Sequence, residues 1–174
     1  MSKKRKPPKY YLGLDLSLTS TGMVLANKKA DRVIQQTITT LPKDRVEVRI
    51  NHIWTQIEIL LKSTMASKHK IKRCAIEGLA VRGAGQRTLQ LAGLHYFVRI
   101  RMTQVFPKVG VVIIPPTSLK KYISGNGRCE KDKMMLSCYK RWNFEADNSD
   151  TCDAFSLTRF LSGNKKAIKK EWWI

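Results

Sequence analysis

Apolar positions along the chain change their rhythm near residue 44. Before it, residues 10–14 and 22–26 are short apolar runs, and residues 32–40 alternate through Ile34, Gln36 and Ile38 as a half-exposed strand does. Small polar turns separate these runs, which predicts an antiparallel three-strand meander. After it, Asp44 with Glu47 three residues on has the spacing of a capping box. Ile50, Ile53, Trp54, Ile57, Leu60 and Leu61 then recur at helical spacing, so a long amphipathic helix is expected. Residues 73–77 and 110–114 read as two buried strands, with a helix over 86–106 between them. Further helices are expected over 117–124, 130–142 and 150–162. The order gives an α/β domain whose five strands form a mixed sheet flanked by helices.

The helix over 86–106 carries two apolar stripes. One comprises Leu89, Ala92, Tyr96 and Ile100, the other Leu91, Leu94, Val98 and Met102. A sheet covers one stripe, so the other is either buried within the same chain or meets a partner subunit. The 174 residues suit one domain, residues 10–163, between basic segments at 1–9 and 164–174. Repeats and low-complexity linkers are missing from the sequence.

Charge narrows the partner. Lys and Arg number 33 against 13 Asp and Glu, a formal net charge of +20, and without the two terminal segments the balance is still 24 against 12. Such a body favours a polyanion, and nucleic acid is the first candidate. The run Lys3 to Lys6 is either a solvated tail or a DNA contact. Cys74, Cys129, Cys138 and Cys152 form no CxxC pair and have no His at zinc spacing, which reads as four reduced structural thiols. No apolar stretch approaches the roughly 20 residues of a membrane span, and Pro7 and Pro8 follow the basic start where a signal peptide has its apolar region. The expected compartment is reducing and cytoplasm-like.

Four acids are the candidates for chemistry. Asp15 ends the first apolar strand and leads into the small-residue turn 16–22, and Glu77 ends another strand after Cys74, Ala75 and Ile76. Asp150 and Asp153, three apart at the start of a helix, share one face of its first turn. If the two strands are neighbours and the last helix crosses them, the four carboxylates meet. Packed together they repel unless cations neutralise them, and oxygen-rich sites favour Mg²⁺ or Mn²⁺. Two such ions can activate water against a phosphodiester. Taken singly, each acid is also explained as a turn residue or as a partner of the helix dipole. The loop 122–129, with Gly125, Gly127 and Arg128 between Lys120 and Lys131, suits close approach of a phosphate backbone, or is a plain surface loop. Residues 82–87, with Arg82 and Arg87, form a second small basic loop after Glu77, either a DNA contact or a simple connector.

The segments Tyr11-Leu12-Gly13-Leu14-Asp15, Cys74-Ala75-Ile76-Glu77, Pro116-Thr117-Ser118-Leu119-Lys120 running on to Glu130-Lys131, and Asp150-Thr151-Cys152-Asp153-Ala154 come in the order seen in RuvC-type Holliday junction resolvases, which this chain resembles over nearly its whole length. The resemblance implies an RNase H-like fold. It also implies that Asp15, Glu77, Asp150 and Asp153 hold metal, Mg²⁺ with Mn²⁺ able to substitute and two ions per site, and that Lys120 and Lys131 stand near the scissile phosphate. A homodimer nicking two strands of branched DNA is implied too. The basic loops themselves give Lys121, Arg82, Arg87 and Arg128 as further expected DNA contacts, and the source, a bacterium or one of its viruses, stays open. One departure stands out: Gly78, Leu79 and Ala80 follow the strand glutamate, where many relatives carry an aromatic residue that wedges into the junction. Forks and flaps therefore join four-way junctions as expected substrates.

Other classes remain open at this level. Residues 15–22 also resemble the phosphate loop of actin-like ATPases and sugar kinases, but those folds need two lobes and this chain has room for one. A branched-DNA-binding protein that does not cut, and an RNA-directed nuclease of the same fold, fit the charge equally well. The basic ends, with Trp172 and Trp173 in the last, could add nonspecific affinity or stack on bases.

Overall fold

Five strands form the centre of the computed structural model, which describes residues 7–79 and 85–174. β1 (Lys9–Asp15) pairs antiparallel with β2 (Ser20–Asn27), and β2 pairs antiparallel with β3 (Val33–Thr39). On its other side β1 runs parallel to β4 (Lys70–Glu77), which runs parallel to β5 (Gly110–Ile114). The order β3-β2-β1-β4-β5 is the expected mixed sheet. The helices are α1 (Val46–Ala66), α2 (Gln86–Val105), α3 (Pro116–Ser124), α4 (Lys131–Trp142) and α5 (Ser149–Gly163).

Both faces of the central strands are covered, which is why β1 from Tyr10 and β4 from Cys74 read as unbroken apolar runs up to their terminal acids. Leu12, Leu14 and Ile76 join Ile53, Ile57 and Leu61 of α1 and Leu94 and Val98 of α2 in one core. On the opposite face Tyr11, Ala75 and Val112 pack with Leu157, Phe160 and Leu161 of α5. Two glycines let α5 approach that face. A Cβ on Gly13 would stand 1.9 Å from the carbonyl oxygen of Ala154, and one on Gly22 would stand 2.1 Å from that of Asp150. Gly22 is also the cross-strand partner of Asp15. The start of α5 is thus pressed against the end of β1.

The capping box expected at Asp44 and Glu47 does not form. Arg45 occupies the cap position of α1 without a side-chain cap, so Asp44 falls one residue too early to reach the free amides, and Glu47 pairs with Arg45 at 3.5 Å in solvent. A capping box forms at α5 instead: the Asn148 side chain accepts from the amides of Asp150 and Thr151, and the Thr151 hydroxyl accepts from the Asn148 amide. The two stripes of α2 divide at three positions each, with Leu91 and Ala92 both half-buried. Leu94, Val98 and Met102 are buried, whereas Leu89, Tyr96 and Ile100 are 66%, 57% and 53% exposed, so the outer stripe is not covered by the described residues of this chain.

After α5 the basic segment returns to the sheet. Trp172 packs at 6.1 Å from Phe160, Trp173 bridges to Val112 and lies under the Arg73 guanidinium, and the Ile174 amide donates to the Val111 carbonyl. Both indoles are therefore engaged by the protein itself. All four cysteines are free and buried. Among the described residues no helix is long and apolar enough to cross a membrane.

Candidate active site

Parallel pairing brings Asp15 and Glu77 together. Leu14 is in register with Ile76, so the next residue of each strand emerges at the same edge of the sheet. The N-terminal part of α5, brought close by Gly13 and Gly22, adds Asp153. One carboxylate oxygen from each of Asp15, Glu77 and Asp153 lies within 4.8 Å of the others. That span is about twice a metal–oxygen bond of roughly 2.0–2.6 Å, and the donor set is all hard oxygen, so the residues fit a divalent ion of the Mg²⁺ type.

Asp150 stands beside this group and is not one of the three. Its Oδ2 accepts from the Ser20 hydroxyl and its Oδ1 from the Ser149 hydroxyl at 3.2 Å. Its charge nonetheless raises the pKa of both Asp15 and Asp153. Ser20 and Ser149 had no distinguishing signal in the sequence beyond their place in a polar turn and next to an acid.

Burial is the main reason the acids hold protons unusually tightly. Asp15 is pushed well above the carboxylate range by burial, then by the charges of Glu77, Asp153 and Asp150. Glu77 is raised by burial and by the charge of Asp153, and lowered in part by its neighbour Asp15 and by Lys120 and Lys131. Asp153 is raised to about 6 by burial, against the opposing pull of Lys131 and Lys120. A divalent ion would replace those protons and remove the repulsion.

Lys120 on α3 and Lys131 at the start of α4 both lower the pKa of Glu77 and Asp153, and Lys131 Nζ donates to Ser149 Oγ at 3.0 Å. The other predicted contacts disperse. Lys121, one residue round the helix from Lys120, lines a groove with Tyr122, Phe160 and Trp172. Arg128 lines a cleft with Lys133 and Lys140 of α4. Arg87, exposed in the first turn of α2, lines a cavity beside the turn after Asp15, and Arg82 lies outside the described residues. His95, which the sequence did not single out, is buried on α2; burial and then Arg99 hold its pKa down at about 4, against the opposing pull of the Leu16 backbone, so it is neutral there.

Fold and site define a class, an α/β domain on a mixed five-stranded sheet whose carboxylate cluster suits a divalent ion, in a strongly basic chain. The sequence model of the crossover junction endodeoxyribonuclease RuvC family matches residues 11–158, and the chain belongs to that family. RuvC from Thermus thermophilus superposes with a TM-score of 0.70 at 14% identity, over 91% of this chain and 97% of that one. The same enzyme in complex with a Holliday junction substrate superposes with a TM-score of 0.71 at 16% identity, over 86% and 90% of the two chains. No curated protein matches the chain by sequence.

Proposed function

We propose that this chain resolves four-way DNA junctions as a homodimer, by metal-dependent phosphodiester hydrolysis at Asp15, Glu77, Asp150 and Asp153. The observation that carries the reading is the meeting of three carboxylates at the ends of two adjacent parallel strands in a protein with a net charge of +20. Two Mg²⁺ ions, with Mn²⁺ able to substitute, would supply the charge that activates water and stabilises the departing oxygen. The chain's own residues do the rest. Asp15, Glu77 and Asp153 hold the ions, and Asp150, kept by Ser20 and Ser149, completes the shell. Lys120 and Lys131 steady the scissile phosphate, while Arg82, Arg87, Lys121 and Arg128 contact DNA further out. Residues 10–163 form the nuclease domain between the basic terminal segments. The exposed stripe of Leu89, Tyr96 and Ile100 on α2 supports a partner subunit there. Four unpaired thiols suit a reducing, cytoplasm-like compartment, whether the gene is bacterial or carried by a phage.

Synthetic four-way junctions, forks, flaps and RNA hybrids incubated in parallel with Mg²⁺, and with chelator, test this. Paired nicks in the four-way junction that need the metal and vanish in Asp15→Asn are expected. Tight binding with no metal-dependent cut overturns the reading and leaves a protein that holds junctions without resolving them.

A further inference from the structure

Resting on that nuclease reading, we infer that Arg49 and Arg87 form a second phosphate subsite, which receives a backbone phosphate of the DNA strand away from the bond being cut. A cavity of about 570 Å³ opens two residues past Asp15; Ser17, Thr19, Arg49, Arg87 and Gln90 form its polar lining, beside the apolar Leu18, Pro42 and Leu91. Pockets of roughly 300–1,000 Å³ accept small-molecule ligands, so a phosphate with its sugar fits.

Arg49 is the decisive residue. It is a helical arginine only 7% exposed, in the first turns of α1. Its Nε donates to the Thr40 hydroxyl at 2.9 Å, and that hydroxyl donates to the carbonyl of Leu18, which fixes the guanidinium against the turn that follows Asp15. Among the described residues no carboxylate lies within 4 Å of Arg49 or of Arg87, and the ion pairs present lie elsewhere. Asp44 shares a smaller neighbouring cleft with Arg49 without pairing with it. A buried cation without an anion is costly, and natural proteins pair such charges or use them on ligands. Arg87 adds a second cation from α2 across the same cavity, and Ser17, Thr19 and Gln90 add uncharged donors. Two arginines with hydroxyl and amide donors suit a phosphodiester, with no base edge to read, so the subsite positions DNA irrespective of sequence.

The test measures junction affinity in Ca²⁺, without cleavage, across a range of KCl concentrations for the full chain, Arg49→Gln and Arg87→Gln. Each variant is expected to weaken binding by roughly 5- to 10-fold near 0.1 M salt and to reduce the salt slope by about 0.9, the value of one lost phosphate contact. Single methylphosphonate substitutions along the strand locate the phosphate: one position should weaken the parent protein and cost Arg87→Gln nothing more. Arg87 is exposed, so its substitution reads the subsite even if Arg49→Gln unfolds. Wild-type affinity and slope in a folded Arg87→Gln overturn the proposal, as does additivity at every methylphosphonate. Deoxynucleoside monophosphate binding that Arg49→Gln removes while junction affinity is unchanged also overturns it, by assigning the cavity to a free nucleotide. Because the readout is binding, a parent protein that fails to cut condemns the nuclease reading and leaves this test intact.

Discussion

The two ends of α5 treat buried charge in opposite ways. At its start, three carboxylates of Asp15, Glu77 and Asp153 crowd within 4.8 Å and hold protons because nothing nearby fully offsets them. Two turns further on, Arg159 is 2% exposed and wholly provided for. Its Nη atoms donate to the carbonyls of Asn27 and Lys28 at 2.6 and 3.1 Å, its Nε donates to the Thr158 hydroxyl, and its guanidinium lies 5.1 Å from the Phe155 ring. Both ends face the same strands, and the charge left short of partners is the shallower one: the acids are half-buried and Arg159 is fully buried. A charge that the fold needs arrives with its partners, and a charge left wanting one is reserved for a ligand.

The sharpest way to break that contrast is to neutralise one charge at each end. Asp153→Asn should lower single-turnover cleavage of a four-way junction by roughly a thousandfold, equal to about 4 kcal/mol of transition-state stabilisation, while junction binding and folding survive. Arg159→Met should do the reverse. It takes the guanidinium donor from the Lys28 carbonyl and one of the two donors from the Asn27 carbonyl, which keeps the Ala30 amide, and should cost roughly 2–3 kcal/mol of stability in denaturant unfolding, with cleavage per folded molecule retained. An Asp153→Asn protein that cuts normally, or an Arg159→Met protein as stable as its parent, removes the distinction.

The next effect is on stability itself. Asp15, Glu77 and Asp153 all have folded-state pKa values above their ordinary ones, Asp153 at about 6. Between the ordinary carboxylate range near pH 4 and those raised values, the folded protein binds protons that the unfolded chain has released. Their contribution is therefore fully present below about pH 4 and lost as pH rises through 6 and beyond. Metal-free protein should melt several degrees lower at pH 9 than at pH 7, on the order of 1–2 kcal/mol, a window above the one in which His95, neutral in the fold, works in the opposite direction, and saturating Mg²⁺ should abolish the difference. Asp15→Asn should melt higher than the parent at pH 8 without metal. A flat melting profile in chelator would show that the acids are not in conflict.

Much of this was legible beforehand. Strand ends at Asp15 and Glu77 follow from apolar runs that stop abruptly, and the i, i+3 spacing of Asp150 and Asp153 fixes their common face before any fold is known. The resemblance supplied the reason to group them. What stayed hidden depends on contacts between distant segments. Gly13 looks like one more small residue in a strand until α5 arrives 1.9 Å from where its Cβ would stand. Arg49 looks like a surface charge on an amphipathic helix, and its 7% exposure and its bond to the Thr40 hydroxyl exist only in the folded chain. The misplaced capping box at Asp44 is a boundary error of one residue, which side-chain identity cannot resolve when Asp and Arg are adjacent.

A smaller consequence concerns α2, where the two apolar stripes repeat the contrast in uncharged form. Leu94, Val98 and Met102 have partners within the chain, and Leu89, Tyr96 and Ile100 have solvent. Leu89→Glu combined with Ile100→Glu should convert a dimer to a monomer in sedimentation equilibrium and change monomer stability by less than about 0.5 kcal/mol. Wild-type protein that sediments as a monomer at micromolar concentration, or a double variant that stays dimeric, removes this stripe as the subunit contact.

The weakest predicted effect discriminates within the acid group. Asp150 lies outside the three converging carboxylates because Ser20 on β2 and Ser149 hold its two oxygens. Ser20 belongs to the strand that supplies Gly22, so its hydroxyl is placed by the same close approach that places α5. Ser20→Ala removes one of the two tethers and leaves every carboxylate in place. If the tether positions Asp150 for metal, the Mg²⁺ concentration giving half-maximal cleavage should rise roughly three- to tenfold, within the range by which outer partners tune metal affinity, while the rate at saturating Mg²⁺ changes little. Ser20→Thr keeps the hydroxyl and should restore the original metal dependence. A Ser20→Ala enzyme with unchanged metal dependence would mean that Asp150 finds its place without help from β2, and that its separation from the other three is closed by the ion alone.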